Sequence, residues 1–101
     1  MEFGGFQWDR GNRDKSRSKH GVSTEAAEQC FFNFHVVAVD TRHSTKSETR
    51  YVLLGETDAG RKLFTSFTMR GALVRVISVR PMHWKEEKLY EEEKEKTSIG
   101  K

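Results

Sequence analysis

The sequence lacks most features that mark a secreted, membrane-spanning or metal-binding protein. Its single cysteine, Cys30, excludes an internal disulfide bond, and no apolar run approaches the ~20 residues that a transmembrane helix needs. There is no secretory-signal pattern at the N-terminus, no CxxC or HxxxH metal spacing and no glycine-rich phosphate loop. We therefore expect a soluble cytoplasmic protein with no membrane partner, no metal and no cofactor.

The net charge is only +3 over 101 residues, but the charge is unevenly distributed. Residues 1–20 carry five basic and three acidic groups, and residues 48–80 carry six and three. Acidic residues gather near the C-terminus instead. The length predicts one domain with a modest core. The net positive charge is too small to prove a nucleic-acid partner, so the placement of the basic residues along the chain is more informative.

Residues 61–80 predict a β-hairpin. Two runs rich in β-branched and aromatic residues, 62–68 and 73–79, flank a turn in which Gly71 can adopt a positive φ. Strict alternation puts Arg75 on one face with Leu73, Ile77 and Val79. We expect Arg75 to be paired or to reach the sheet edge, because an unpaired buried charge is costly. The hairpin carries four arginines in all: Arg61, Arg70, Arg75 and Arg80.

The rest of the chain predicts further strands and three helices. Ser23 is a helix N-cap candidate, with an apolar stripe after it that faces the sheet, and Pro81 is expected to open a C-terminal helix. The order is β-α-α-β-β-β-β-α, an α+β fold. We expect a small, mostly antiparallel sheet of 4–5 strands, two N-terminal helices and one C-terminal helix. The predicted strands outside the hairpin are 3–8, 35–39 and 50–55, the first helix is a basic segment at 10–19, the domain spans 1–96, and 97–101 form a disordered tail.

An ordered set of short motifs resembles the BrnT toxin family of type II toxin–antitoxin pairs. The order and spacing of the motifs carry the resemblance, which covers residues 6–92. Ser16 and Pro81 depart from the family pattern, which leaves a degenerate toxin as one interpretation. The matching motifs are Trp8-Asp9, Lys19-His20-Gly21-Val22-Ser23, Asp40-Thr41-Arg42-His43-Ser44, Arg50-Tyr51, Gly55, Gly60-Arg61, Thr68-Met69-Arg70-Gly71, Val76-Ile77-Ser78-Val79-Arg80 and Tyr90.

The resemblance implies a fold like that of the RelE ribonucleases and a metal-independent endoribonuclease that cleaves RNA and arrests translation. It also implies a BrnA-like ribbon-helix-helix antitoxin as partner, with DNA bound only through the antitoxin complex. Homodimerisation stays open. A rival interpretation is a non-catalytic module on the same fold that binds RNA or a protein partner, because no acid–base pair stands out in the sequence.

Such a ribonuclease would use the 2′-hydroxyl of RNA as nucleophile and guanidinium groups to stabilise charge on the phosphate. His20 has the intrinsic pKa range of an acid or base, although it is equally well placed to end a helix. Tyr90 could stack on a base or pack in the core. The expected catalytic residues are Arg70, Arg80, Arg50 and His20, and the expected RNA-binding residues are Lys19, Arg61, Arg13, Arg17 and Tyr90.

Overall fold

A computed structural model of the chain describes residues 2–11 and 19–99, without the side chains of 98 and 99. The described part is α+β, with two helices where three were predicted. The predicted basic helix falls largely on residues 12–18, which lie outside the described residues. The strands are β1 (Gly5–Trp8), β2 (His35–Val39), β3 (Tyr51–Glu56), β4 (Lys62–Arg70) and β5 (Leu73–Pro81), and the helices are α1 (Thr24–Gln29) and α2 (Trp84–Ile99).

The five strands form one mixed sheet in the order β1-β5-β4-β3-β2. Three neighbouring pairs are antiparallel, and only β1 runs parallel to its neighbour β5. The mostly antiparallel sheet that the sequence predicts is therefore confirmed. The two edges of the sheet are β1 and β2.

The predicted hairpin is present, but a bulge changes which residues of β5 share a face. Gly71, in the turn, has a φ of 60°. Ser66 pairs with Ser78 and the next residue, Phe67, pairs with Val76, so Ile77 is the extra residue. A bulge reverses the alternation of side chains along a strand. Val79 is consequently buried with Val74 and Val76, and the predicted face shared by Val79 and Arg75 was wrong.

One face of the sheet packs against α1, as the sequence predicts. The Ser23 side chain accepts a hydrogen bond from the Ala26 N–H at 3.1 Å, which caps the first turn. Gly55 allows the close approach of the helix end, since a Cβ at this position would lie 2.8 Å from the Cβ of Cys30. The core between α1 and the sheet contains Val22, Ala27, Cys30, Phe31, Leu53, Leu63, Phe67, Val74, Val76 and Val79.

The opposite face is partly covered by α2 and by the short segment before it. Tyr90 of α2 and Met82, two residues before the helix, pack with Leu54 and Phe64. Pro81 does not open this helix. It is the last residue of β5, because it pairs with Leu63 and the following N–H, of Met82, bonds to the carbonyl of Lys62. The helix continues to Ile99, past the boundary predicted at residue 96, and residues 100 and 101 lie outside the described ones.

No helix in the described residues is both long enough and apolar enough to span a bilayer.

Candidate functional site

Three arginines surround Thr68 on the sheet face that is turned away from α1. Thr68 pairs with Arg75 across β4 and β5, and Arg70 follows two residues later on the same side of β4. Tyr51 pairs with Phe67 and stacks on it at 5.3 Å, on the α1 side. Arg50 precedes Tyr51, so alternation directs it to the other face, beside Thr68. Neighbouring strands lie about 4.8 Å apart, so these side chains border one patch, which we call the arginine face (Arg50, Thr68, Arg70 and Arg75).

The arginine face contains two buried polar atoms that lack a hydrogen-bond partner among the described residues. One is Oγ1 of Thr68, a residue with no exposed surface, and the other is Nε of Arg50. Buried polar atoms in folded proteins are almost always hydrogen-bonded, so an exception calls for an explanation such as a water, an ion or a ligand. A hydroxyl and a guanidinium N–H can both donate to the same anionic oxygen. This pair of atoms therefore gives the arginine face two donors that have no partner in the described part of the chain.

Two carboxylates flank the arginine face. Arg75 donates from Nη2 to Oδ2 of Asp9, which confirms that Arg75 is paired. Nη2 of Arg70 lies 4.0 Å from Oε2 of Glu48, at the outer limit of an ion pair. The Arg70 side chain is half exposed, so its long ion pair with Glu48 contributes little energy in solvent. Arg70 can thus turn towards an anion at small cost.

Arg80 lies on the same side of the sheet as Arg70 but far from it. Arg80 pairs with Phe64, six residues from Arg70 along β4, which corresponds to about 20 Å. Arg70 and Arg80, which were both expected to be catalytic, are therefore too far apart to bind one phosphate. Arg80 instead stacks on the Phe64 ring at 3.9 Å and holds both carboxylate oxygens of Glu86. Hydrogen bonds from Arg80 lower the pKa of Glu86.

A family model described as the ribonuclease toxin BrnT of type II toxin–antitoxin systems matches residues 8–86. The chain belongs to the BrnT ribonuclease toxin family. The crystal structure of the Brucella abortus ribonuclease toxin BrnT, at 1.1 Å resolution, matches with a TM-score of 0.58 and 23% identity. The match covers 78% of this chain and 96% of that chain and shows the shared fold. No curated protein matched the sequence.

Family membership confirms the resemblance seen in the sequence, and it implies an antitoxin partner. It does not by itself select the reacting residues. Within this BrnT-family fold, only Arg50 and Arg70 of the expected catalytic set lie together. Arg80 and His20 lie elsewhere.

Arg61 and His20 meet at the opposite end of β4 from the arginine face. The Arg61 guanidinium donates to the backbone carbonyls of His20, at 2.6 Å, and Gly21, at 3.2 Å. Arg61 therefore holds the segment before α1 in place. It lies nine positions before Arg70 along the chain, a distance of roughly 30 Å in an extended strand. Lys19 is exposed beside His20. The expected RNA-binding residues Arg13 and Arg17 lie outside the described residues.

Tyr90 is a core residue in this BrnT-family structure, so the prediction that it binds RNA is corrected. It has no exposed surface, and its hydroxyl lies 3.1 Å from the Phe34 carbonyl oxygen and from Oε1 of Glu56. Burial and the nearby Glu56 carboxylate raise the pKa of Tyr90. A buried, hydrogen-bonded phenol cannot stack on a base.

The thiol and imidazole groups do not assemble into a site. Cys30 is buried and its pKa is raised to about 12 by desolvation, so it is a poor nucleophile. His43 binds Asp40 in an exposed loop, with Nδ1 2.7 Å from Oδ2, and this hydrogen bond lowers the pKa of Asp40. Across the ranges 2–11 and 19–99, no three His, Cys, Asp or Glu side chains are placed to hold a metal ion.

Sequence reasoning missed Thr68 and Glu48 and gave Arg75 no functional role. Alternation in β4 does place Thr68 and Arg70 on one face, which was an available signal. What the sequence did not supply was the register between strands, which brings Arg50 and Glu48 next to them. The loop between β2 and β3 holds the backbone of Arg50 in place, because the Ser44 hydroxyl accepts a hydrogen bond from the Arg50 N–H at 2.9 Å and donates to its carbonyl at 3.4 Å.

Proposed function

We propose that this chain is the toxin of a type II toxin–antitoxin pair and a metal-independent endoribonuclease that acts at the arginine face. Family membership supports the ribonuclease class. The observation that carries the site is a pair of buried donor atoms, Thr68 Oγ1 and Arg50 Nε, that have no partner among the described residues and are bordered by Arg70 and Arg75. Cleavage of RNA in the cytoplasm would arrest translation, and a fold of the RelE kind is consistent with this activity.

The proposed reaction needs only groups that the RNA and this face provide. The 2′-hydroxyl loses its proton to Glu48, and its oxygen bonds to the adjacent phosphorus while the bond to the 5′-oxygen breaks. Arg50, Arg70 and Arg75 stabilise the charge that develops on the phosphate oxygens, the largest contribution in many such reactions. The leaving 5′-oxygen takes up the proton that Glu48 accepted, relayed through water, so Glu48 is ionised again and the products carry a 2′,3′-cyclic phosphate and a 5′-hydroxyl.

The antitoxin that we propose is a ribbon-helix-helix protein of the BrnA kind. To neutralise the toxin it would cover the arginine face with acidic or apolar side chains, for which the half-exposed Arg70 is an accessible contact. DNA would be bound only indirectly, through the antitoxin of the complex.

The test uses purified protein, a long single-stranded RNA and EDTA. Arg50→Ala is compared with Arg42→Ala, which removes the same charge from the exposed loop after β2. We expect cleavage by the wild type and by Arg42→Ala. Arg50→Ala should lose about 100-fold or more in rate, as for removal of one donor from a charge-stabilising site. The products should carry cyclic phosphate ends.

Salt-dependent RNA binding without cleavage would replace this proposal with the RNA-binding module. Cleavage that requires added metal would contradict the metal-independent reaction. Equal cleavage by the two variants would show that the protein is a ribonuclease but that the arginine face is not its active site.

A further inference from the structure

The edge strand β2 contains no Asp, Glu, Lys or Arg, and four of its five residues are apolar. Its residues are His35, Val36, Val37, Ala38 and Val39, and it pairs only with β3 within the described part of the chain. Val37 and Val39 are 37% and 54% exposed. Edge strands of soluble proteins are usually protected by charges, prolines or bulges, because bare edges pair with other strands. β2 has none of these protections.

The hydrogen-bond pattern of β2 identifies the backbone groups that face outward. Asp40 donates its N–H to the carbonyl of Arg50 at 2.7 Å, so these two residues occupy the position of a hydrogen-bonded pair, with the Arg50 N–H bonded to Oγ of Ser44. Such pairs alternate with non-hydrogen-bonded pairs along an antiparallel ladder. Ala38 and Val36 therefore bond to β3. The N–H and C=O groups of His35, Val37 and Val39 point away from the sheet.

The outward backbone groups of His35, Val37 and Val39 can pair with the same groups of a second copy of the chain. If β2 meets a second β2 antiparallel with Val37 at the centre, Val37 pairs with Val37 of the other copy, and His35 pairs with Val39 on both sides. Every outward N–H then meets an outward C=O. No like charges are opposed, because His35 lies opposite Val39 in this register and Val37 lies opposite Val37.

We propose that β2 is a homodimerisation edge, at which two copies of this chain join their sheets around a two-fold axis that passes between the two Val37 residues. An isologous contact of this kind closes on itself, so it yields a dimer and no fibre. The five strands of each copy continue into one sheet. Since paired strands keep their faces, the arginine faces of both copies lie on the same side. The inference does not depend on ribonuclease activity.

The experiment combines the association state with a register-specific crosslink. Sedimentation of the wild type is measured from low micromolar to several hundred micromolar concentrations. Val37→Cys and Val39→Cys are then incubated with oxidised glutathione at a concentration where the dimer forms. The two positions are matched, since both are exposed valines on the same face of the same strand. Cys30 is buried and its pKa is raised to about 12, so it does not compete.

We expect a concentration-dependent dimer and rapid covalent dimerisation of Val37→Cys. In the proposed register the two residues at 37 are directly opposite, at about 5.5 Å between Cα atoms, within disulfide range. The two residues at 39 are offset by four positions, about 14 Å, so that variant should crosslink at least ten-fold more slowly. Val37→Lys places two cations opposite each other and should give a monomer, whereas Ser47→Lys, which adds the same charge in the exposed loop between β2 and β3, should not.

A monomeric wild type over the whole range overturns the proposal, as does equal or faster crosslinking at position 39. Dimerisation that Val37→Lys leaves unchanged would place the contact elsewhere and overturn it too. A monomer that binds an extended antitoxin segment at β2 would show that this edge binds the antitoxin and would overturn the homodimer. RNA cleavage, measured on the same preparations, reports separately on the proposed function.

Discussion

Arg80 and Glu86 form a two-pronged ion pair, with Nη1 2.8 Å from Oε1 and Nη2 2.9 Å from Oε2. The same guanidinium lies 3.9 Å above the Phe64 ring, and Oε1 of Glu86 also accepts from the His83 N–H at 2.8 Å. These contacts join the end of β5 to the first turn of α2. Arg80 therefore has a structural role that its sequence position does not reveal.

We predict that Arg80→Ala lowers the free energy of unfolding by about 2 kcal/mol, since it removes charge-assisted hydrogen bonds. Urea denaturation at neutral pH measures this. Arg80→Lys should recover only part of the loss, because an ammonium group cannot bind both carboxylate oxygens in the same plane. A neutral effect of Arg80→Ala would show that the pair contributes nothing to stability.

The same pair predicts a pH dependence. The pKa of folded Glu86 lies below its ordinary value of 4.5, so its contribution is complete above the unfolded pKa and is lost as the pH falls through the folded pKa. The stability difference between the wild type and Glu86→Gln should be constant near neutrality and shrink below pH 4.5. A difference that grows as the pH falls would contradict this linkage.

Two buried threonines on opposite faces give a matched test of the arginine face. Thr68 and Thr65 are both fully buried, and neither Oγ1 has a partner among the described residues. Replacing an unsatisfied buried hydroxyl by a methyl group removes a desolvation cost of about 1 kcal/mol or more. Thr68→Val and Thr65→Val should each raise the unfolding midpoint in urea.

Only Thr68→Val should slow RNA cleavage, because Thr65 lies on the α1 side of β4, away from the arginines. Equal cleavage rates for the two variants would remove Thr68 from the site. A loss of stability in Thr68→Val would show that its hydroxyl is bonded in the folded protein.

Tyr90→Phe tests the reassignment of Tyr90 to the core. The folded pKa of Tyr90 is raised above its ordinary value of 10.0, so the protonated form stabilises the fold. That contribution is present below pH 10 and is lost as the pH rises towards the folded pKa. The wild type should thus lose stability relative to Tyr90→Phe above pH 10, in thermal melts followed by circular dichroism. RNA cleavage at neutral pH should be unchanged, and a large loss there would return Tyr90 to the site.

Gly55→Ala tests how closely α1 approaches the sheet. A new Cβ would lie 2.8 Å from the Cβ of Cys30 and 3.0 Å from its carbonyl oxygen. Because backbone atoms cannot move aside easily, we predict a destabilisation of about 1–3 kcal/mol, typical of overpacking. Chemical denaturation measures it, and a stable Gly55→Ala protein would indicate a looser contact than the structure has.

The hairpin and the capped helix α1 could be predicted because their signals are local. Gly71 provides the positive φ of the turn, and Ser23 provides the hydroxyl of the N-cap. The bulge at Ile77 could not be predicted, since it depends on the pairing of β4 with β5. Pro81 was misassigned because its fixed φ suits the start of a helix and the end of a strand equally.

Only part of the candidate site could be predicted, because the rest also depends on the pairing between strands. Arg50 and Arg70 were chosen as residue types suited to phosphate, but their adjacency follows from the register between β3 and β4. Arg80 was chosen alongside them, and nothing in the sequence shows that Glu86 occupies its guanidinium. The chemistry of a residue can be inferred from its type, whereas its neighbours depend on the fold.

The central claim is that RNA reacts at the arginine face and not at Arg80. The most direct test compares the single-turnover RNA cleavage rates of Arg70→Ala and Arg80→Ala, at a temperature where circular dichroism shows both to be fully folded. We predict that Arg70→Ala loses about 100-fold or more and that Arg80→Ala stays within a few-fold of the wild type. The reverse order would contradict the account and move the site to the end of β5.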